Sequence, residues 1–218
     1  MSTVPAEALD AAGMRAWVAA VATAVAAERD RLTELDAAIG DGDHGVNLTR
    51  GFTAVTTALE GSDADTPGGV AILVGRTLIS SVGGASGPLY GTFFRAMGKA
   101  FGRGGALDAE QVQAGLAAGL DGIGKLGSAV PGDKTMVDAL TPALAAWEAD
   151  VVDGGTLSTA AAAAAAAAAE GAEATIPMEA RRGRASYLGP RSVGHEDPGA
   201  ASSALVLAAL RDAIDAAS

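Results

Sequence analysis

The chain has 218 residues and a formal net charge of −11, from 26 acidic against 15 basic side chains; 49% of it is apolar but only 4% aromatic. That charge excludes a broad electrostatic grip on nucleic acid, which needs many Lys and Arg on phosphates, and it repels any anionic ligand unless cations intervene. The length suits one domain, residues 1–218, with chain enough to bury a substantial core, and the lack of cysteine excludes disulfides and thiolate metal sites.

Much of the apolar content is alanine, the strongest helix former, so the reading is all-α. Met14, Trp17, Val21, Val25 and Leu32 share one helical face and predict a first helix from Ala6 to Leu35. It ends in the loop Asp36–Asp43. A second helix is expected from His44 to Leu59 and a third from Pro67 to Val82. Gly83–Gly87 separates the third from a fourth that ends near Phe101. Asp108 reads as the N-cap of a fifth helix reaching Leu126. A sixth spans Lys134 to Asp150, with a kink expected at Pro142. The seventh covers Leu157 to Arg181, and the last follows the polar loop Gly183–Pro198 and ends near Ala216. Nothing alternates apolar and polar residues over a strand length, so no strand is predicted. Met1–Asp10 has no basic stretch leading into an apolar run, so no secretory leader is expected. The alanine run Ala160–Ala169 is ten residues long, whereas a membrane span needs about 20 apolar ones. A cytoplasmic protein with no membrane partner is the expectation.

The chemistry concentrates in Leu35–Asp36–Ala–Ala–Ile–Gly40–Asp41–Gly–Asp43–His44–Gly45–Val46–Asn47. Three carboxylates fall in a glycine-rich turn between helices, and carboxylate oxygens are hard ligands suited to Mg²⁺ or Ca²⁺. Left alone, each close pair of anions repels by about 4 kcal/mol at an effective dielectric of 20. An exposed acidic turn is the bland alternative. A calcium loop of the EF-hand type fails on spacing: the twelfth position is Phe52 counted from Asp41 and Asn47 counted from Asp36, where a bidentate Glu is required.

Two further segments can meet an anion. Gly83–Gly84–Ala85–Ser86–Gly87–Pro88 opens a helix with Ser86 as the expected N-cap, so free amides and the positive helix end face a phosphate. No Gly-x-x-x-x-Gly-Lys-Ser/Thr sequence occurs, which removes the P-loop route. In the Gly183–Pro198 loop, Arg184 and Arg191 carry guanidinium groups suited to phosphate oxygens or to surface ion pairs. His44 and His195 are the only histidines, without the spacing of a zinc site; His44 is read as a phosphate contact, and no catalytic role is assigned to either.

Gly40–Asn47, Gly83–Gly87, Gly132–Asp–Lys–Thr–Met136, Gly183–Arg–Ala–Ser–Tyr–Leu–Gly189 and His195–Glu–Asp–Pro–Gly–Ala200 together resemble the L-subunit family of dihydroxyacetone kinases, from about Leu35 to Leu207. The resemblance implies a barrel of eight antiparallel helices with the nucleotide seated in the loops at one end. It implies two Mg²⁺ ions on Asp36, Asp41 and Asp43, bridging the phosphates of ADP or ATP. His44, Gly45, Val46, Asn47, Ala85 and Ser86 would line the phosphates, Gly127 and Met136 the adenine, and Arg184, Asp197 and Gly199 the closing loop. None of these is assigned a catalytic role. The resemblance also implies a separate ketone-binding kinase subunit and a phosphotransferase-system phosphohistidine subunit that rephosphorylates bound ADP. An ATP-dependent kinase half acting on a small ketose, and a regulatory nucleotide-binding module, are the competing readings. The acceptor ketose and the assembly, a homodimer included, are left open.

Overall fold

The computed structural model describes residues 8–217. Nine α-helices occupy most of that span: α1 (Ala11–Ala27), α2 (Arg29–Ile39), α3 (His44–Glu60), α4 (Pro67–Ser81), α5 (Ser86–Phe101), α6 (Ala109–Gly127), α7 (Met136–Val152), α8 (Leu157–Glu173) and α9 (Pro198–Ala217). A 3₁₀ segment, Arg184–Ser192, lies between the last two. The first expected helix begins partly outside the described residues and is broken at Glu28, although hydrogen bonds run through the break, from Glu28 N to Ala24 O at 3.0 Å and Leu32 N to Glu28 O at 2.9 Å. Neither proline nor glycine marks that point.

The helix expected to reach Arg181 ends at Glu173, because the chain tightens into short-range turns and then meets Pro177, which lacks an N–H and disfavours helix before it. A strand pair also exists: β1 (Leu9–Asp10) lies antiparallel to β2 (Ala106–Leu107), Leu9 opposite Leu107. Two residues are too few to show alternation. The caps behave as their chemistry requires, with Asp108 and Thr135 each closing a capping box at the start of α6 and α7. Pro142 sits inside α7, which continues to Val152.

Packing follows chain order. Helix α3 lies against α4, α4 against α5, α5 against α6, α6 against α7, α7 against α8 and α8 against α9, and α9 returns to α1, which touches α3. The abundant glycine has a local use here. A Cβ on Gly75 would meet Gly91 O at 2.5 Å, and one on Gly98 would meet Gly68 O at 2.7 Å, so α4 and α5 approach backbone to backbone. The few aromatics fill the centre: Phe94 packs edge-on against Phe93 at 5.4 Å and Phe52 at 6.4 Å, and tilted on Trp17 at 5.6 Å. Each such ring contributes about 2–3 kcal/mol by burial. The Trp17 indole N–H donates to Val206 O at 2.8 Å, which ties α1 to α9. Among the described residues no helix is long and apolar enough to cross a membrane.

Candidate functional site

The loop between α2 and α3 is organised by one carboxylate. Asp36, in the last turn of α2, accepts through Oδ2 from the backbone N–H of Asp43 at 2.8 Å and of His44 at 3.1 Å. It thereby caps α3 from a distance, and Asp43, at the N-cap position, makes no side-chain cap bond of its own. Gly40 makes this possible: a Cβ there would lie 2.0 Å from Asp36 Oδ1. Asp36, Asp41 and Asp43 then each offer one oxygen within 4.8 Å of the others. Three hard oxygen donors at that spacing, one of them oriented by two amides, fit a divalent cation such as Mg²⁺. Arg184 Nη2 reaches the same cluster, 2.9 Å from Asp41 Oδ2.

The cluster opens onto a cavity of about 430 Å³. Eleven of the fourteen residues expected at the site line it: Asp36, Asp41, Asp43, His44, Ala85, Ser86, Gly127, Met136, Arg184, Asp197 and Gly199. Leu89, Ile123, Leu126 and Val137 add an apolar share. Gly45, Val46 and Asn47 do not line it. Gly45 faces α2, where a Cβ would meet Arg29 O at 2.0 Å; the Val46 side chain is exposed; and Asn47 Oδ1 accepts from Arg50 at 2.8 Å behind the Gly83–Gly84 turn. Arg191 and His195 are likewise absent from the lining.

Ser86 is the first residue of α5 rather than its N-cap; Ala85 holds that position without a side-chain bond. The Ser86 hydroxyl is engaged elsewhere, 3.0 Å from His44 Nδ1. On its other side His44 Nε2 lies 2.8 Å from Ser202 Oγ on α9. Both ring nitrogens therefore lie within hydrogen-bond distance of a serine hydroxyl. Burial lowers the His44 pKa against the pull of the Asp36 and Asp43 charges, which favours the neutral ring.

Several lining residues were not singled out from the sequence. Lys134 is fully buried at the entrance to α7, with φ of 62°. Its ammonium donates to Thr175 O at 2.6 Å and to His195 O, which fastens the two ends of the long α8–α9 connection. Burial lowers its pKa, while the charges of Asp197 and Asp138 oppose that shift. Asp197 caps α9 through Ala200 N at 2.7 Å, and burial pushes its pKa up to about 7. Tyr90, buried beside Ser202, is pushed up to about 12, again by burial. The only available signal for Lys134 was a charged residue wedged between a glycine turn and a helix cap.

Residues 38–212 match the DAK2 domain family. The chain is 41% identical over 186 residues to the PEP-dependent dihydroxyacetone kinase ADP-binding subunit DhaL of Escherichia coli, covering 85% of this chain and 89% of that one. It is 36% identical to a D-erythrulose kinase of Mycolicibacterium smegmatis, covering 89% of this chain but 34% of that protein. Among solved structures, the dihydroxyacetone kinase of C. freundii in complex with AMP-PNP and Mg²⁺ superposes with a TM-score of 0.70 at 28% identity, over 97% of this chain and 36% of that one.

Proposed function

The chain belongs to the DAK2 domain family, and within it to the L subunits of dihydroxyacetone kinases; from that premise we propose that it is a kinase subunit carrying ADP or ATP in the cavity between α2, α5, α6, α7 and α9. The observation that carries the reading is the convergence of Asp36, Asp41 and Asp43 on that cavity in a protein of net charge −11. An acidic body retains a polyphosphate only when cations stand between the two. Two Mg²⁺ ions on these aspartates, when bound, supply the positive charge that phosphoryl transfer requires.

The chain's own residues position and screen. Asp36 orients the carboxylate set through its two amide bonds. Ala85 and Ser86, at the positive end of α5, line the cavity and would face the phosphates. Arg184, paired with Asp41 in this structure, contributes a movable positive charge at the cavity. Gly127 and Met136, with Leu89 and Ile123, offer an apolar seat for the base. Asp197 and Gly199 close the pocket at the start of α9. Gly45, Val46 and Asn47 stand in the first turn of α3, outside the cavity lining. No side chain here is assigned covalent chemistry.

The fold proposed for this single domain, residues 1–218, is an antiparallel barrel of eight helices, which the packing order returning from α9 to α1 supports. The acceptor, dihydroxyacetone, would be held on a partner kinase subunit. The nucleotide would remain bound as phosphoryl carrier and be recharged by a phosphohistidine subunit of a phosphotransferase system in the cytoplasm. This form is favoured over a freely exchanging ATP enzyme because the chain is 41% identical to a PEP-dependent ADP-binding subunit and 36% identical to a D-erythrulose kinase.

Native mass spectrometry of gently purified protein should show ADP with two magnesium ions, and Asp41→Ala should lose it without losing helicity. Failure of the wild type to bind ADP in saturating Mg²⁺ sinks the reading. Activity with exchangeable ATP and no phosphohistidine donor would select the competing form. Lack of kinase activity after addition of the ketone-binding subunit would leave a regulatory module.

A further inference from the structure

Ile39, the last residue of α2, is buried yet stands apart from the main core. Its apolar neighbours are Ala180, Ala185 and Leu188, and the four form a small cluster of their own. Ala185 and Leu188 belong to the 3₁₀ segment Arg184–Ser192, and Ala180 to the stretch that leads into it. Ile39 and Ala185 both line the cavity, with Gly183 and Arg184 beside them.

Both roots of this segment are firm. Arg181 N donates to Asp133 O at 3.0 Å on one side, and Gly194 N donates to Ile176 O at 2.8 Å on the other. The buried Ser192 hydroxyl accepts from Ala180 N at 2.9 Å and donates to Gly189 O at 2.7 Å. Gly183 and Gly194, with φ of 64° and 91°, turn the chain at either end. The middle is held differently. Among the described residues, no hydrogen bond from residues 185–191 reaches outside 183–193. The polar tie to the α2–α3 loop is the pair of Arg184 and Asp41, and exposed pairs of that kind contribute little. Burial of an isoleucine contributes more, so Ile39 is the principal anchor of the segment.

We infer that Ile39 is a positioning residue that seats the segment Arg184–Ser192 as a strap along the cavity, so that a bound nucleotide leaves only when the strap lifts. This rests on the nucleotide reading above and deepens it, because a phosphoryl carrier retained between turnovers needs slow release. The strap is fastened by an apolar contact, separately from the metal. Truncating that contact raises the fraction of time the strap is open, and entry and exit of nucleotide then accelerate together. Affinity changes less than either rate.

Stopped-flow release of a fluorescent ADP analogue from the full-length protein in saturating Mg²⁺, chased with unlabelled ADP, tests this. Ile39→Ala should accelerate both release and association by about tenfold or more, and Leu188→Ala should do so from the strap's side. Ile39→Leu, which keeps the volume, should restore slow release. The Mg²⁺ concentration needed for binding should not move in any of them. Hydrogen exchange should quicken over residues 184–192 in both alanine variants while α1 and α9 stay protected. A folded Ile39→Ala protein with the wild-type release rate overturns the inference. So does faster release matched by a displaced Mg²⁺ midpoint, since Ile39 would then act through the carboxylate turn alone. If wild type fails to bind the analogue in Mg²⁺, the nucleotide reading falls, and the exchange measurement still decides whether Ile39 anchors the strap.

Discussion

Replacing Gly40 by alanine isolates the carboxylate cluster from the fold. The new Cβ would stand 2.0 Å from Asp36 Oδ1 and 2.9 Å from the Asp36 carbonyl oxygen, against 3.4 Å or more for an ordinary contact. The carboxylate must retreat by about 1.4 Å, which rotation of the side chain allows, and the Asp36 carbonyl forces a smaller adjustment of the end of α2 besides. Rotation releases the amides of Asp43 and His44. Two such bonds are worth about 2 kcal/mol together, which lowers Tm by about 4–8 °C in a domain of this size. The helical body survives that loss. The cluster does not, since its orienting interactions are worth about 10–100-fold in metal affinity. Calorimetric titration of ADP at a series of Mg²⁺ concentrations should show the Mg²⁺ midpoint displaced upward by that factor, with far-ultraviolet dichroism unchanged. A folded Gly40→Ala protein with wild-type Mg²⁺ dependence would refute the argument that Asp36 must lie over residue 40.

Arg184→Ala breaks an exposed ion pair and should change stability by under about 1 kcal/mol, while ADP affinity measured by titration falls about tenfold. Lys134→Met leaves carbonyls of Thr175 and His195 without their buried donor; urea unfolding should register a loss of about 3 kcal/mol or more. Asp197 holds its proton to about pH 7 in the native chain but releases it near pH 4 when unfolded, a value typical of free Asp (about 3.9). The folded state therefore binds more protons between those values, and this group's contribution to stability is lost as pH rises through about 7. Urea midpoints from pH 5 to 8 should fall more steeply for wild type than for Asp197→Asn.

The sequence by itself determined the local features, because each depends on neighbours along the chain. Alanine content and a cap such as Asp108 specify helices, and the Asp36–Asp43 turn brings its carboxylates close within one short loop. The eight residues from Asp36 to Asp43 could hold three donors together wherever the rest of the chain went. Motif order also identified Ala85, Ser86, Gly127, Met136, Arg184, Asp197 and Gly199, all of which reach one cavity.

Tertiary structure decided what depends on residues far apart in sequence. Whether His44 faces a ligand or a serine is set by Ser202, 158 positions away. The role of Lys134 follows from carbonyls 41 and 61 residues downstream. Gly45 reads as part of a phosphate loop, yet its missing Cβ serves the approach of α2. Hydrogen-bond partners and burial are properties of the packed core, and a buried polar group must find its partner wherever the folded chain brings one. Local pattern carries no record of that search.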